Sequence, residues 1–244
     1  FYLTEEEEKM IETVTRYFEK VVVVLNVGGM VDTSWFVKEK KIPAVLLAWQ
    51  GGMEGGLAAA ELLAGMGSPS GKLPDTFAAR LEDYPSSYNF HESDFYVDYT
   101  DDIYVGYRYF ETIPGALAKV NYPFGFGLSY TQFDWQVVSV SEKLGQLLVQ
   151  VDLTNVGKRP GKEVLQVYGM APQGKLGKSK RHLLVFEKSR LLQPGETQRL
   201  RLAWKMEDMA SYDDLGKVKK SAYVLEQGDY FFYLGNSVEN VEKL

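Results

Sequence analysis

The sequence predicts an α/β unit, a partial sandwich with a mostly parallel sheet and helices on both faces, followed by an all-β sandwich. Three observations carry that reading. Residues 1–80 alternate helical and strand-like stretches, and the strands are continuous apolar runs. From about Phe133 the apolar period drops to two. Between these regions, residues 81–130 are irregular, yet too rich in aromatics for a disordered linker. We therefore expect three units: 1–80, a connecting segment 81–130 packed along both neighbours, and 131–244.

The elements follow in order. "FYLTEEEEKM" opens a helix: Thr4 caps it, Glu7 closes a capping box, and Glu5 to Glu8 sit at the positive end of the helix dipole. Met10, Ile11, Val14, Tyr17 and Phe18 recur at helical spacing. "KVVVVLNVGG" reads as a strand buried on both faces, "MVDTSWFVKEKK" as a short helix and "IPAVLLAWQ" as a second buried strand. After the glycine loop "GGMEGG", "LAAAELLAG" is a helix closed by Gly65. Strand, helix, strand, helix implies right-handed crossovers.

In the last region, "TQRLRLAW" sets Leu200, Leu202 and Trp204 against Arg199 and Arg201, and "LLVQVDLTN" does the same with Val149, Val151 and Leu153. Further strands are expected at "FDWQVVSV", "EVLQVYGM", "HLLVFEK", "AYVLE" and "DYFFYLG". "QPGE" supplies a type II turn at Pro194–Gly195. Seven short strands in this span make an immunoglobulin-like sandwich; without cysteine, the fibronectin III kind fits better.

Composition excludes several function classes. The net charge of −6 argues against a nucleic acid partner. No apolar run approaches the ~20 residues of a membrane helix. The absence of cysteine removes disulfides, thiol nucleophiles and thiolate metal sites, and leaves the redox compartment open. Location is open too, with the cytoplasm slightly preferred to export.

Motifs for chemistry mostly fail on spacing. "GGMEGG" does not match a dinucleotide fingerprint, and "GSPSGKL" has three residues between Gly67 and Gly71, with Leu73 after Lys72. Pro69 stands where a nucleophile elbow needs serine. No metal site and no cofactor are expected. His91 and His182 fall in different units, and the acids between Glu92 and Asp102 lack calcium-loop spacing. Glu54 is the most interesting carboxylate, because its loop follows a strand of the parallel sheet, where ligands gather. A structural role, accepting hydrogen bonds from neighbouring glycine amides, is the expectation. Trp49 and Tyr107 are of a type that stacks on sugars, although burial is the default for both.

In combination, "VVVVLNVGG", "AWQGGMEGGLAAAELLAG" with "SPSGKLPDTF", "DIYVGYRYFE" and "YPFGFGLSYTQF" resemble, in order and spacing, glycoside hydrolases of family 3, and most of all bacterial β-glucosidases. "LTNVGKRPGKEVLQVY", "LQPGET" and "LEQGDYFFYLGNS" resemble their fibronectin type III-like domain. The resemblance covers the whole chain. It implies a retaining hydrolase with a TIM-type barrel, an Asp nucleophile on the barrel and an acid/base Glu on a loop just before a segment like "FYLTEEEEKM".

By that resemblance no catalytic residue falls in this chain, which is expected to begin downstream of the acid/base loop. "GGMEGG" matches a later family segment, so Trp49, Gln50, Glu54 and Arg108 belong to structural motifs. The segment 88–104, with Tyr88, Phe90, His91, Glu92 and Asp94, is expected to reach the aglycone side of the pocket. The partners implied are the barrel-containing segment of the same enzyme and a β-glucoside; separately, one face of the sandwich could pair, which leaves a homodimer as a further option. The competing reading is a carbohydrate-binding or adhesion module.

Overall fold

The computed structural model describes residues 1–244. The first region runs α1 (Glu5–Tyr17), β1 (Val22–Leu25), α2 (Ser34–Val37), β2 (Ala44–Leu47) and α3 (Gly55–Leu63). The capping box of α1 forms as the sequence predicts: Thr4 Oγ1 accepts from the Glu7 amide, and the Glu7 carboxylate accepts from the Thr4 amide at 2.8 Å. At the end of α3, Gly65 adopts φ +72° while its amide and that of Met66 bond to Leu62 and Glu61. That is a left-handed cap of the kind glycine favours.

β1 and β2 pair in parallel, from Val22 opposite Ala44 to Leu25 opposite Leu47. They are the only two strands of their sheet. Neither contains a fully buried residue, which corrects the expectation of strands enclosed on both faces. A two-stranded sheet has two open edges and too little face for helices to seal. No residue of α1 or α3 is buried either; Met10, Tyr17 and Phe18 face solvent.

The connecting segment divides in two. β3 (Phe77–Ala78), α4 (Tyr107–Thr112) and β4 (Val120–Tyr122) pack into a small cluster in which Ala78, Phe110 and Ala116 are buried. Tyr84 and Tyr109 close round it. Residues 88–103 are instead mostly exposed.

The last region contains β5 (Phe133–Lys143), β6 (Gln146–Asn155), β7 (Val164–Met170), β8 (His182–Lys188), β9 (Thr197–Lys205), β10 (Ser211–Asp213), β11 (Ala222–Val224), β12 (Phe231–Gly235) and β13 (Val241–Lys243). A three-stranded sheet β5–β6–β9 and a four-stranded sheet β13–β12–β7–β8 enclose one core of Val149, Val151, Leu153, Leu165, Leu200, Leu202, Trp204 and their neighbours. Inward and outward positions alternate strictly along β6 and over the second half of β9. Gly195 has φ +79°, and the Glu196 amide bonds to the Gln193 carbonyl at 2.9 Å, as a type II turn requires.

One predicted strand is displaced. "AYVLE" contributes β11, which pairs with β10 in a separate hairpin, and the seventh sandwich strand is β13. β7 is buried on both faces. Leu165 and Val167 face the core, while Gln166 and Tyr168 face the connecting segment, where the Tyr107 ring lies edge-on to Tyr168 at 6.1 Å.

Candidate functional site

The carboxyl ends of β1 and β2 are the place where a parallel sheet presents loops to a ligand. There the loop after β1 meets the loop after β2. A Cβ added at Gly28 would lie 2.9 Å from Nε2 of the Gln50 side chain, which packs over that glycine. Trp49 has φ +55°, a left-handed conformation unusual for a bulky side chain, and its ring tilts against Phe77 at 6.3 Å. Strain of that kind collects at sites whose geometry is fixed for a purpose.

Glu54 stands at the start of α3. Its side chain makes no capping hydrogen bond and is exposed, which corrects the expectation of a carboxylate held by glycine amides. The turn there is closed by the backbone instead, the Gly55 amide bonding to the Gly52 carbonyl. Gln50 and Trp49 therefore shape the strand-end edge, and Glu54 projects from it.

Tyr88, Phe90, His91, Glu92 and Asp94 are all exposed on one segment. The Asn89 side chain organises it by donating to the Asp98 carbonyl at 2.7 Å and accepting from the Thr100 hydroxyl. Phe90 and His91 meet edge-on at 4.7 Å. The result is a polar, aromatic-studded and solvent-exposed segment.

Arg108 is placed differently. It lies on α4, and its Nη2 reaches His182 Nδ1 of β8 at 2.9 Å. Tyr107 is half-buried rather than free for stacking on a sugar: its ring stacks on Phe124 at 4.7 Å and its hydroxyl accepts from the Leu183 amide.

These contacts belong to a polar seam that the sequence did not disclose. Across it, Lys72 pairs with Glu163 at 2.7 Å and Arg181 with Glu111 at 3.0 Å. Lys188 Nζ reaches the Ser70 carbonyl, and Arg159 reaches that of Gly65. Burial pushes the Glu111 carboxyl above its usual range, against the pull of Arg181. Burial, then the Arg108 charge, pushes the His182 imidazole below its own.

Among the carboxyls, Glu111 alone is raised. Those that titrate away from their usual range otherwise, Asp83, Asp152, Asp213, Glu196 and Glu226, have Arg, Lys or backbone amide partners. A cleft of about 670 Å3 is lined by Ser129, Thr131, Phe133, Glu163 and Asn236. Its buried carboxylate, Glu163, is already engaged by Lys72 and Asn236.

Comparison with known proteins places this architecture. Residues 1–130 match the glycosyl hydrolase family 3 C-terminal domain, and residues 163–238 a fibronectin type III-like domain. The chain is 60% identical to β-glucosidase A of Butyrivibrio fibrisolvens, covering 100% of this chain and 31% of that protein. It is 44% identical to a β-glucosidase of Ruminococcus albus, over 100% of this chain and 25% of that one. The solved structure of a β-glucosidase from Paenibacillus barengoltzii superposes with a TM-score of 0.95 at 52% identity, over 99% of this chain and 27% of that chain. β-Glucosidase 3B from Thermotoga neapolitana, in complex with α-D-glucose, gives 0.90 at 39%, over 100% and 34%. The chain thus spans about a third or less of the length of these relatives. With matching models over both regions and a near-superposable fold, it belongs to glycoside hydrolase family 3, carrying the family's C-terminal domain and a fibronectin type III-like domain.

Proposed function

We propose that this chain is the scaffold portion of a retaining β-glucosidase that removes terminal non-reducing β-D-glucosyl residues from oligosaccharides or β-glucosides. The observation that supports the reading is the family match over both regions of the chain, beside a shaped strand-end edge. Retaining hydrolysis needs two carboxyl groups about 5–5.5 Å apart, one attacking the anomeric carbon and one protonating the leaving oxygen. In this reading the nucleophile and the acid/base come from other polypeptide, a barrel-bearing segment that would rest on the uncovered faces of α1, β1, β2 and α3.

In that assembly Trp49, Gln50 and Glu54 brace the wall of the pocket. Tyr88, Phe90, His91, Glu92 and Asp94 line its aglycone side, the rings stacking on sugar faces and the carboxylates bonding to hydroxyls. Arg108 fixes the second domain through His182. Phe90→Ala and Asp94→Ala in the complete enzyme are expected to raise KM for cellobiose several-fold more than for an aryl β-glucoside. Recombining this chain with a barrel-containing segment is expected to restore cleavage of an aryl β-glucoside. Cleavage by the chain alone would overturn the proposal.

A further inference from the structure

The β10–β11 hairpin is a rigid projection. Asp213, only 1% exposed, accepts hydrogen bonds from the amides of Gly216, Lys217, Val218 and Lys219 at 2.6–3.0 Å. Gly216 and Ser221 both take positive φ to close the loop. A carboxylate buried this way fixes the backbone strongly. Yet the turn it fixes leaves Leu215 72% and Tyr223 76% exposed, beside Lys217, Lys219 and Lys220, none of which has an ion-pair partner. The Tyr223 ring meets that of Tyr212 at 5.2 Å, yet both stay more than half exposed, and such patches mark interaction sites.

The complement is on the same chain. Residues 95–102 carry no Lys or Arg, present Asp98 and Asp102 without ion-pair partners, and expose Phe95 and Tyr99 almost completely. We propose that the hairpin docks a second copy of this chain, its basic apolar tip seated on the acidic aromatic segment 95–102 of that copy. A two-fold arrangement uses each patch once per subunit and closes the assembly. Opposite local charge selects this contact between molecules whose net charge of −6 otherwise repels. The inference rests on the proposed function only in that residues 88–94, and not 95–102, face the sugar.

The test is sedimentation equilibrium of the complete polypeptide at about 0.1 M salt, where the Debye length is about 10 Å. The wild type should be dimeric at micromolar concentration and loosen as salt rises. Lys217→Glu/Lys219→Glu/Lys220→Glu should raise the dissociation constant about a hundredfold, with a nearly unchanged melting temperature because these ammonium groups make no hydrogen bond or ion pair within the chain. Asp98→Lys/Asp102→Asn should do the same in kind; asparagine is chosen because residue 102 has φ +50°. Mixing the two variants should restore a dimer, since one contact is then charge-reversed and the other is wild type. A monomeric wild type, a dimer indifferent to both variants, or two weakened variants that fail to pair on mixing would overturn the proposal.

Discussion

The sandwich and the α/β region use similar apolar residues and reach opposite outcomes. In the sandwich, eleven buried side chains form one contiguous core between two sheets. In the α/β region the runs "VVVVL" and "AVLLA" form two parallel strands without a single buried residue, and Met53 and Leu57 face water. The difference lies in closure. Antiparallel strands joined by short turns fold back until two faces meet, so the sandwich supplies its own cover. Parallel strands joined by helices bury their faces only when the sheet is several strands wide.

The largest effect that tests this contrast is Leu200→Ala. Leu200 is fully buried between the sheets, and the lost contacts and cavity should cost about 4 kcal/mol in urea denaturation of the chain. Val24→Ala on β1 should cost less than about 1 kcal/mol in the same experiment, because that side chain is already half in water. In a polypeptide that covers the sheet, its cost should rise to about 2 kcal/mol.

Next comes the seam that joins the two regions. Glu111→Ala leaves Arg181 without its carboxylate and should cost about 3 kcal/mol, read as an earlier denaturation midpoint. His182 gives a smaller effect that depends on pH. Burial and the Arg108 guanidinium hold its folded pKa below the unfolded value of about 6.5, with Asp208 opposing weakly. The unfolded chain therefore takes up the proton first. The stability from neutral His182 is intact above about pH 6.5 and is lost as pH falls below it. His182→Gln, which keeps an acceptor for Arg108, should flatten the pH slope of unfolding between 5 and 7.

The smallest effect is at the α1 cap. Thr4→Ala should cost about 1 kcal/mol locally, seen as lower helicity by circular dichroism with the sandwich midpoint unchanged.

What the sequence disclosed follows the same division. Alternation along β6 and β9 named the core residues, because period two has one meaning when a face must be buried. It could not choose strand partners, so "AYVLE" read like a sandwich strand although it pairs with β10, and three-residue β13 was too short to show a period. The valine run reads as doubly buried because apolarity reports what a strand requires, and the cover lies in tertiary structure. Glycines round Glu54 suggested amide donors, but the backbone closes that turn itself. Lys72, in a loop that fails as a phosphate binder, pairs with Glu163 in a different domain, ninety-one residues onward. Contacts at that separation leave no local pattern.

Hydrogen exchange, followed peptide by peptide in the 244-residue chain and in the complete polypeptide, tests the contrast most directly. β6 and β9 should be strongly protected in both samples, whereas β1 and β2 should exchange orders of magnitude faster in the chain alone and slow down in the complete polypeptide. Equal and strong protection of β1, β2 and β6 in the chain alone would show that the parallel sheet is closed without further cover, and would contradict the account.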